Sequence, residues 1–254
     1  MWITQCQSLN CPLTAIFLPF ILMAVLIFAQ RCMAMEIIYK DSLILAINKP
    51  AGLPVHKGAG RKMKTLEDYL DDLRFGLPKR PELAHRLDKD TTGCLILGRN
   101  KVALKRLSEL FLHHKIQKTY LALVHGVVTS KIGEINYSIA KKSKDKRSWW
   151  GKIDEQGQPA LTQYEVLCSS ETGSLVKLIP ITGRTHQLRI HMQAIGHPIV
   201  GDAIYGIKHD KNSLCLHCAE MEVPLYAKRE QIILKAPLPD LFNKTMVSMG
   251  IELH

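Results

Sequence analysis

Apolar residues in this chain come in short runs that turn residues keep from merging, and that pattern limits the fold more than any other feature. Glu36–Tyr39 and Leu43–Asn48 flank a Lys-Asp-Ser turn and read as a β-hairpin. Cys94–Leu97 reads as a buried strand, and Tyr120–Val124, Leu161–Leu167 and Leu175–Ile181 as further strands. Helical spacing is interleaved with them. Thr65 and Asp68 make a capping-box-like start, with Leu66, Tyr69, Leu70 and Leu73 at helical intervals behind it. Val102, Leu107, Leu110 and Phe111 mark an amphipathic helix whose wet side carries Lys101, Lys105 and Arg106. Strands mixed with few helices, and no regular βαβ alternation, predict an α+β domain with a mixed, mostly antiparallel sheet and flanking helices.

Composition narrows the class of partner. The chain has 254 residues, 46% of them hydrophobic, enough to bury a sizeable core. Thirty-four Lys and Arg against 23 Asp and Glu leave a formal charge of +11, which favours a polyanion or an anionic membrane surface. Seven cysteines, odd in number and irregularly spaced, do not make a secreted disulfide scaffold. The expected setting is the cytoplasm.

Residues 1–34 break the pattern. Pro12–Ala29 carries no charge and is interrupted only by Pro12, Thr14 and Pro19, so by length it could almost span a bilayer. Three readings fit. Translation begins at Met33 or Met35 and the leader is a false start; or 12–29 anchors the protein, with the body on the cytoplasmic side by the positive-inside rule; or it is a cleaved signal. The last is the poorest, because residues 1–30 hold no Lys or Arg. The domain proper is expected over 35–254.

Several motifs fail on inspection. Gly58–Thr65 has phosphate-loop ingredients without the phosphate-loop spacing. Cys215-Leu-His-Cys218 is a lone C-x-x-C without a second pair, in a segment that alternates like a strand. His186 and His191, five apart, diverge by roughly 140° on a helix and face opposite sides of a strand. No metal site follows.

Three segments mix reactive groups with apolar flanks. In Ala84–Gly93, Asp88 lies on a loop ahead of a strand, where it serves either as a carboxylate held toward a cleft or as a plain turn residue. Gln117-Lys-Thr-Tyr120 opens a strand, and Tyr120 fits either a site or the core. In Pro180–Met192 a strand meets Gly183 and a helix is expected from about Thr185, with Leu188, Met192 and Ile195 as its buried stripe. Arg189 stands at the edge of that stripe, able to reach a buried carboxylate in a bidentate pair or to lie in solvent.

Together these segments resemble the RluA-type family of RNA pseudouridine synthases. NKPAGLPVH at 48–56, HRLDKDTTG at 85–93, QKTYLALVHG at 117–126, PITGRTHQLRIHMQAIGHPIVGDAIYG at 180–206 and LCLHCAEMEV at 214–223 follow the family's order. Thr92 stands where many members have Ser. Residues 1–34 have neither the length nor the charge of the S4 RNA-binding domain many members carry, so a catalytic domain alone is expected.

The resemblance implies isomerisation of uridine in ribosomal or transfer RNA, without cofactor or metal. It implies Asp88 as catalytic carboxylate, Arg189 as the partner keeping it ionised, and Tyr120 against the target base. Arg86 would fill the space a flipped uridine leaves, and Arg184, His186 and Gln187 would contact RNA. Lys141, Lys142, Lys144, Lys146, Arg147 and Trp149-Trp150 form a basic loop that reads either as an RNA contact or as a solvated loop. A binding protein that kept the fold and lost the chemistry is the rival, and it would not need the Asp88, Tyr120 and Arg189 trio.

Overall fold

The computed structural model describes residues 35–57, 63–142, 150–227 and 230–252. The leader and much of the basic loop, from Ser143 to Trp149, lie outside them, so the readings made of those segments do too. Among the described residues no helix is long and apolar enough to cross a membrane.

The expected hairpin forms. Strands β1 (Glu36–Lys40) and β2 (Ile44–Lys49) pair antiparallel, and Asp41 closes the turn by accepting from the Leu43 and Ile44 amides at 2.7 and 2.8 Å. The helix expected after Thr65 does not propagate. Asp68 does accept from the Thr65 amide, but only one 3₁₀ turn follows, Leu66–Tyr69, and the next bonds still run from residue i+3 to i. Phe75 and Gly76 then turn left-handed, at φ 46° and 81°, ahead of Pro78. Spacing of three and four residues suits a 3₁₀ turn as well as an α-helix, so Leu66, Leu70 and Leu73 are buried without one.

After the two-residue β3 (Glu82–Leu83), β4 (Thr92–Gly98) is buried along its whole length, as a strand covered on both faces must be. Helix α1 (Lys101–Leu112) packs on it through Ala103 and Leu107, capped by the Asn100 side chain on the Ala103 amide. Val102, expected on its apolar side, is 67% exposed. Next come β5 (Gln117–His125), β6 (Ile132–Asn136), the small ladder of β7 (Ile139–Lys141) with β8 (Gly151–Ile153), β9 (Leu161–Ser169) and β10 (Gly173–Pro180). Helix α2 (Gln187–Ala194), β11 (Leu216–Val223), β12 (Ile232–Lys235) and α3 (Asp240–Ser248) complete the order.

The main sheet runs β1-β2-β4-β11-β5-β10-β9-β6, with β12 on β11 and β3 on β4. Among the described residues every strand pairing is antiparallel except β4 with β11, giving the mixed, mostly antiparallel sheet expected for an α+β fold. Phe242 and Met246 of α3 cover Leu123, Leu175 and Cys215, one centre of the core.

The parallel pair decides where the functional loop leaves the sheet. Gly93 lies opposite Cys218, Cys218 opposite Tyr120, and Tyr120 opposite Leu178, so four strands share one transverse line. Gly93 sits at φ 107°, and a Cβ there would stand 2.2 Å from the Cys218 carbonyl oxygen. No side chain fits. Gly93→Ala is therefore expected to lower stability by about 4 kcal/mol or more, through both backbone strain and a clash with backbone. A urea midpoint equal to the parent's would show that the two strands separate easily here.

Candidate active site

Asp88 rides the loop between β3 and β4, and three contacts restrain that loop. At its start, His85 Nε2 accepts from the Ile96 amide at 2.9 Å while its ring stacks on Phe111 of α1 at 4.5 Å. Burial pushes the His85 imidazole down to about 3, so it stays neutral and keeps that lone pair free to accept. In the middle, the fully buried Lys49 at the end of β2 donates to the carbonyls of Lys89, Pro50 and Leu53 at 2.9, 2.8 and 3.0 Å. Burial lowers its ammonium to about 8, against the opposing pull of Asp90 and Asp88. At the exit, Thr92 Oγ1 lies 2.8 Å from His217 Nδ1 on β11.

The second wall is the turn from β10 into α2. Gln187 Oε1 accepts from Thr182 Oγ1 and the Arg184 amide, while its Nε2 donates to the Leu161 carbonyl and Thr162 Oγ1. The amide proposed for RNA contact is thus engaged in shaping the turn. α2 starts at Gln187, later than expected, because His186 takes a left-handed conformation at φ 56°. A non-glycine residue there is strained, and its ring is held on both sides. Nδ1 lies 3.0 Å from the Tyr205 hydroxyl, and Nε2 lies 3.7 Å from Asp88 Oδ2. The Gly151 amide donates to that same hydroxyl at 2.9 Å, which fixes the phenol against the ring.

Arg189 is buried, and its bidentate partner is a residue the sequence reading did not single out. Nε and Nη2 each donate to Asp202 at 2.7 Å, whereas Nη1 lies 3.7 Å from Asp88 Oδ2. One guanidinium therefore spans two carboxylates, the tight fork going to Asp202 and the looser contact to Asp88. The Asp202 side chain has no exposed surface and also accepts from the Ile204 and Tyr205 amides. Burial disfavours its charge, but Arg189 and the two amides outweigh burial and hold the carboxyl below its usual range. Arg189 is raised despite burial, through Asp202 and then Asp88. Its guanidinium also lies 5.3 Å from the Tyr205 ring centre.

Asp88, Tyr120 and Arg189 line one cleft of about 140 Å³, together with Arg86, Arg184, His186 and Gln187. Tyr120 is buried, and burial, reinforced by the Cys218 thiol, raises its phenol well above the ordinary range, so it stays protonated. Arg86 and Arg184 are exposed at the cleft, with Arg184 Nε donating to the Pro159 carbonyl. Lys118, Thr91, Lys49, Asp202 and Tyr205 were missed. Lys118 stands two places before Tyr120 in a strand, the spacing that puts both on one face, so it was legible. Asp202, an acid in the apolar run PIVGDAIYG, was legible as a buried charge but not as the partner of any particular residue. Among the described residues no group of three or more His, Cys, Asp or Glu is placed to hold a metal. Cys94 and Cys215 are buried thiols raised by burial to about 12 and about 11.

The RNA pseudouridylate synthase family profile matches residues 43–194, which takes in both walls of this cleft. An uncharacterized RNA pseudouridine synthase of Zymomonas mobilis is 40% identical over 214 residues, covering 83% of this chain and 97% of that protein. The ribosomal large subunit pseudouridine synthase C of Buchnera aphidicola from Acyrthosiphon pisum is 38% identical, over 80% of this chain and 67% of that protein. Among solved structures, human RNA pseudouridylate synthase domain containing 4 superposes with a TM-score of 0.73 at 28% identity, over 85% of this chain and 94% of that one. Because the profile spans more than half of the chain and the Zymomonas relative matches almost end to end, the chain belongs to the RluA-type RNA pseudouridine synthases, intramolecular isomerases of uridine in RNA.

Proposed function

We propose that this enzyme converts uridine to pseudouridine in ribosomal RNA, in the cytoplasm, with Asp88 as its catalytic carboxylate and residues 35–254 as its catalytic domain. The observation that carries the site is the position of Asp88. It is held on a restrained loop, 3.7 Å from both Arg189 and His186, in the cleft that Tyr120 closes. Ribosomal RNA is preferred over transfer RNA because several relatives are named as ribosomal large subunit enzymes.

The reaction breaks C1′–N1, turns the base and forms C1′–C5. The C5 proton is lost and N1 gains one, so no redox equivalent or group donor is consumed. A stacked uridine is out of reach of Asp88, and the nucleotide has to be flipped into the cleft. Arg86, exposed at the cleft, is placed to occupy the vacated stack, while Arg184 and His186 face the incoming strand. Gln187 acts by holding the turn. Tyr120, protonated and buried, packs against the base. Beyond Tyr205 lies a broader hollow of about 580 Å³ lined by Tyr137, Trp150, Lys142 and Lys152. Tyr137 and Trp150 are 45% and 51% exposed, which supports reading the described part of the basic loop as RNA footprint.

Tritium release from [5-³H]uridine-labelled ribosomal and transfer RNA transcripts tests this reading. Release is expected from ribosomal RNA and not from transfer RNA. The reverse pattern would reassign the substrate, and release from neither, with salt-sensitive binding retained, would leave a binding protein.

A further inference from the structure

The cleft contains a cation to which the isomerisation, as derived above, assigns nothing. Lys118 and Tyr120 project from the same face of β5, and Lys118 Nζ lies 3.8 Å from where a Cβ on Gly183 would stand, across the cleft mouth. Burial lowers its pKa, yet among the described residues no hydrogen bond or ion pair holds it. Its neighbours are differently placed. Arg189 is taken by Asp202 and Asp88, and Arg184 by the Pro159 carbonyl. The Thr91 hydroxyl, in the same cleft, is buried with no hydrogen-bond partner among the described residues. The hydroxyl is costly to leave unpaired, and the half-buried ammonium lines the same cleft, so a ligand entering it would meet both.

We propose that Lys118 is a catalytic residue. Its ammonium donates to a carbonyl oxygen of the flipped uracil and stabilises the negative charge on the base during isomerisation, with the Thr91 hydroxyl donating to the same ring. This rests on the assignment of the cleft to the target uridine. Heterolysis of C1′–N1 leaves the electron pair on the base, spread over N1, O2 and O4. Attack of a carboxylate on C6 would also push charge onto O4. By either route the carbonyl oxygens grow more negative before C1′–C5 forms, and a preorganised cation in a small, poorly solvated cleft acts at that stage. Lys118 keeps its proton throughout. The same contact favours uracil over cytosine, whose amino group at position 4 would turn a donor toward the ammonium. A backbone phosphate would meet Arg86 and Arg184 first, since both are exposed where they line the cleft, whereas Lys118 is half-buried on the strand face that carries Tyr120.

The test is single-turnover kinetics of the full chain on ribosomal RNA, with Lys118→Met, Lys118→Arg and Thr91→Val beside Asp88→Ala. Lys118→Met is expected to slow conversion about 10²–10³-fold while RNA affinity stays within several-fold. Lys118→Arg should recover much of that loss. The parent's rate should fall on the alkaline side with an apparent pKa below the free-lysine value of about 10.4, because deprotonation removes the cation. That limb should be missing from the residual rate of Lys118→Met and displaced upward in Lys118→Arg. An unchanged rate with weaker binding and a salt slope reduced by about one would make Lys118 a phosphate contact and overturn the proposal. Unchanged rate and affinity would overturn it as well. Should Lys118→Met fold poorly, Thr91→Val decides, since it replaces the hydroxyl with a methyl of similar shape. A fall of about tenfold supports the proposal, and none overturns it. Conversion by Asp88→Ala would instead show that the cleft itself was misassigned.

Discussion

Asp88→Ala is expected to abolish pseudouridine formation, by about four orders of magnitude or more, while RNA affinity stays within several-fold of the parent's. The asymmetry follows from position. The Asp88 side chain is 19% exposed in a small cleft, whereas the cations expected to meet phosphate are exposed and the substitution does not touch them. Folding should survive too, since the loop is held by Lys49, His85 and Thr92 rather than by the carboxylate. Tritium release measures the first effect and a filter-binding titration the second. A variant that turned over at even a hundredth of the parent's rate would sink Asp88 as the catalytic group. Asp88→Asn is expected to be nearly as inactive, because it keeps the shape and loses the charge that Arg189 and His186 face.

Asp202→Ala should cost about 3–5 kcal/mol of stability. It removes both acceptors from the Arg189 fork and leaves the buried guanidinium facing Asp88 at 3.7 Å and the Tyr205 ring, with no closer carboxylate among the described residues. The Ile204 and Tyr205 amides lose their acceptor as well, which loosens the segment presenting Tyr205 to His186. The urea midpoint should fall accordingly, and conversion should fall beyond what the unfolded fraction explains, because Arg189 is then free to collapse onto Asp88. Asp202→Asn, which keeps one oxygen, should retain more stability than Ala yet lose the bidentate geometry. Since Asp202 is depressed in the fold, its contribution is complete above about pH 4 and is lost as the pH falls through its folded value. A parent-like midpoint for Asp202→Ala would show that Arg189 finds an equivalent partner elsewhere.

Local pattern carried far into this fold. The first hairpin, β4, β5, β9, β10 and α1 all lie where apolar runs and spacing placed them, because a strand or amphipathic helix writes its period into adjacent residues. The pattern failed where two structures share a period. Leu66, Leu70 and Leu73 are buried by a 3₁₀ segment that the same spacing describes as well as a helix, and the left-handed Phe75 and Gly76 follow it. At the site, Asp88, Tyr120 and Arg189 were each visible as reactive residues in apolar settings, and their gathering into one cleft is what the resemblance implied.

What the sequence determined by itself is the type of each main element, the α+β class, the basic surface, and the order of motifs that identifies the family. What only the tertiary structure decided is who meets whom. Gly93 is required because β4 runs parallel to β11, which lies far along the chain, and the Cys218 carbonyl occupies the space of a Cβ. Arg189 forks onto Asp202 rather than Asp88, and Lys118 and Thr91 come to line the same cleft. Periodicity is a property of neighbours along the chain. Ion pairing, burial and orphaned polar groups are properties of neighbours in space, and these are set only once the strands have chosen their partners.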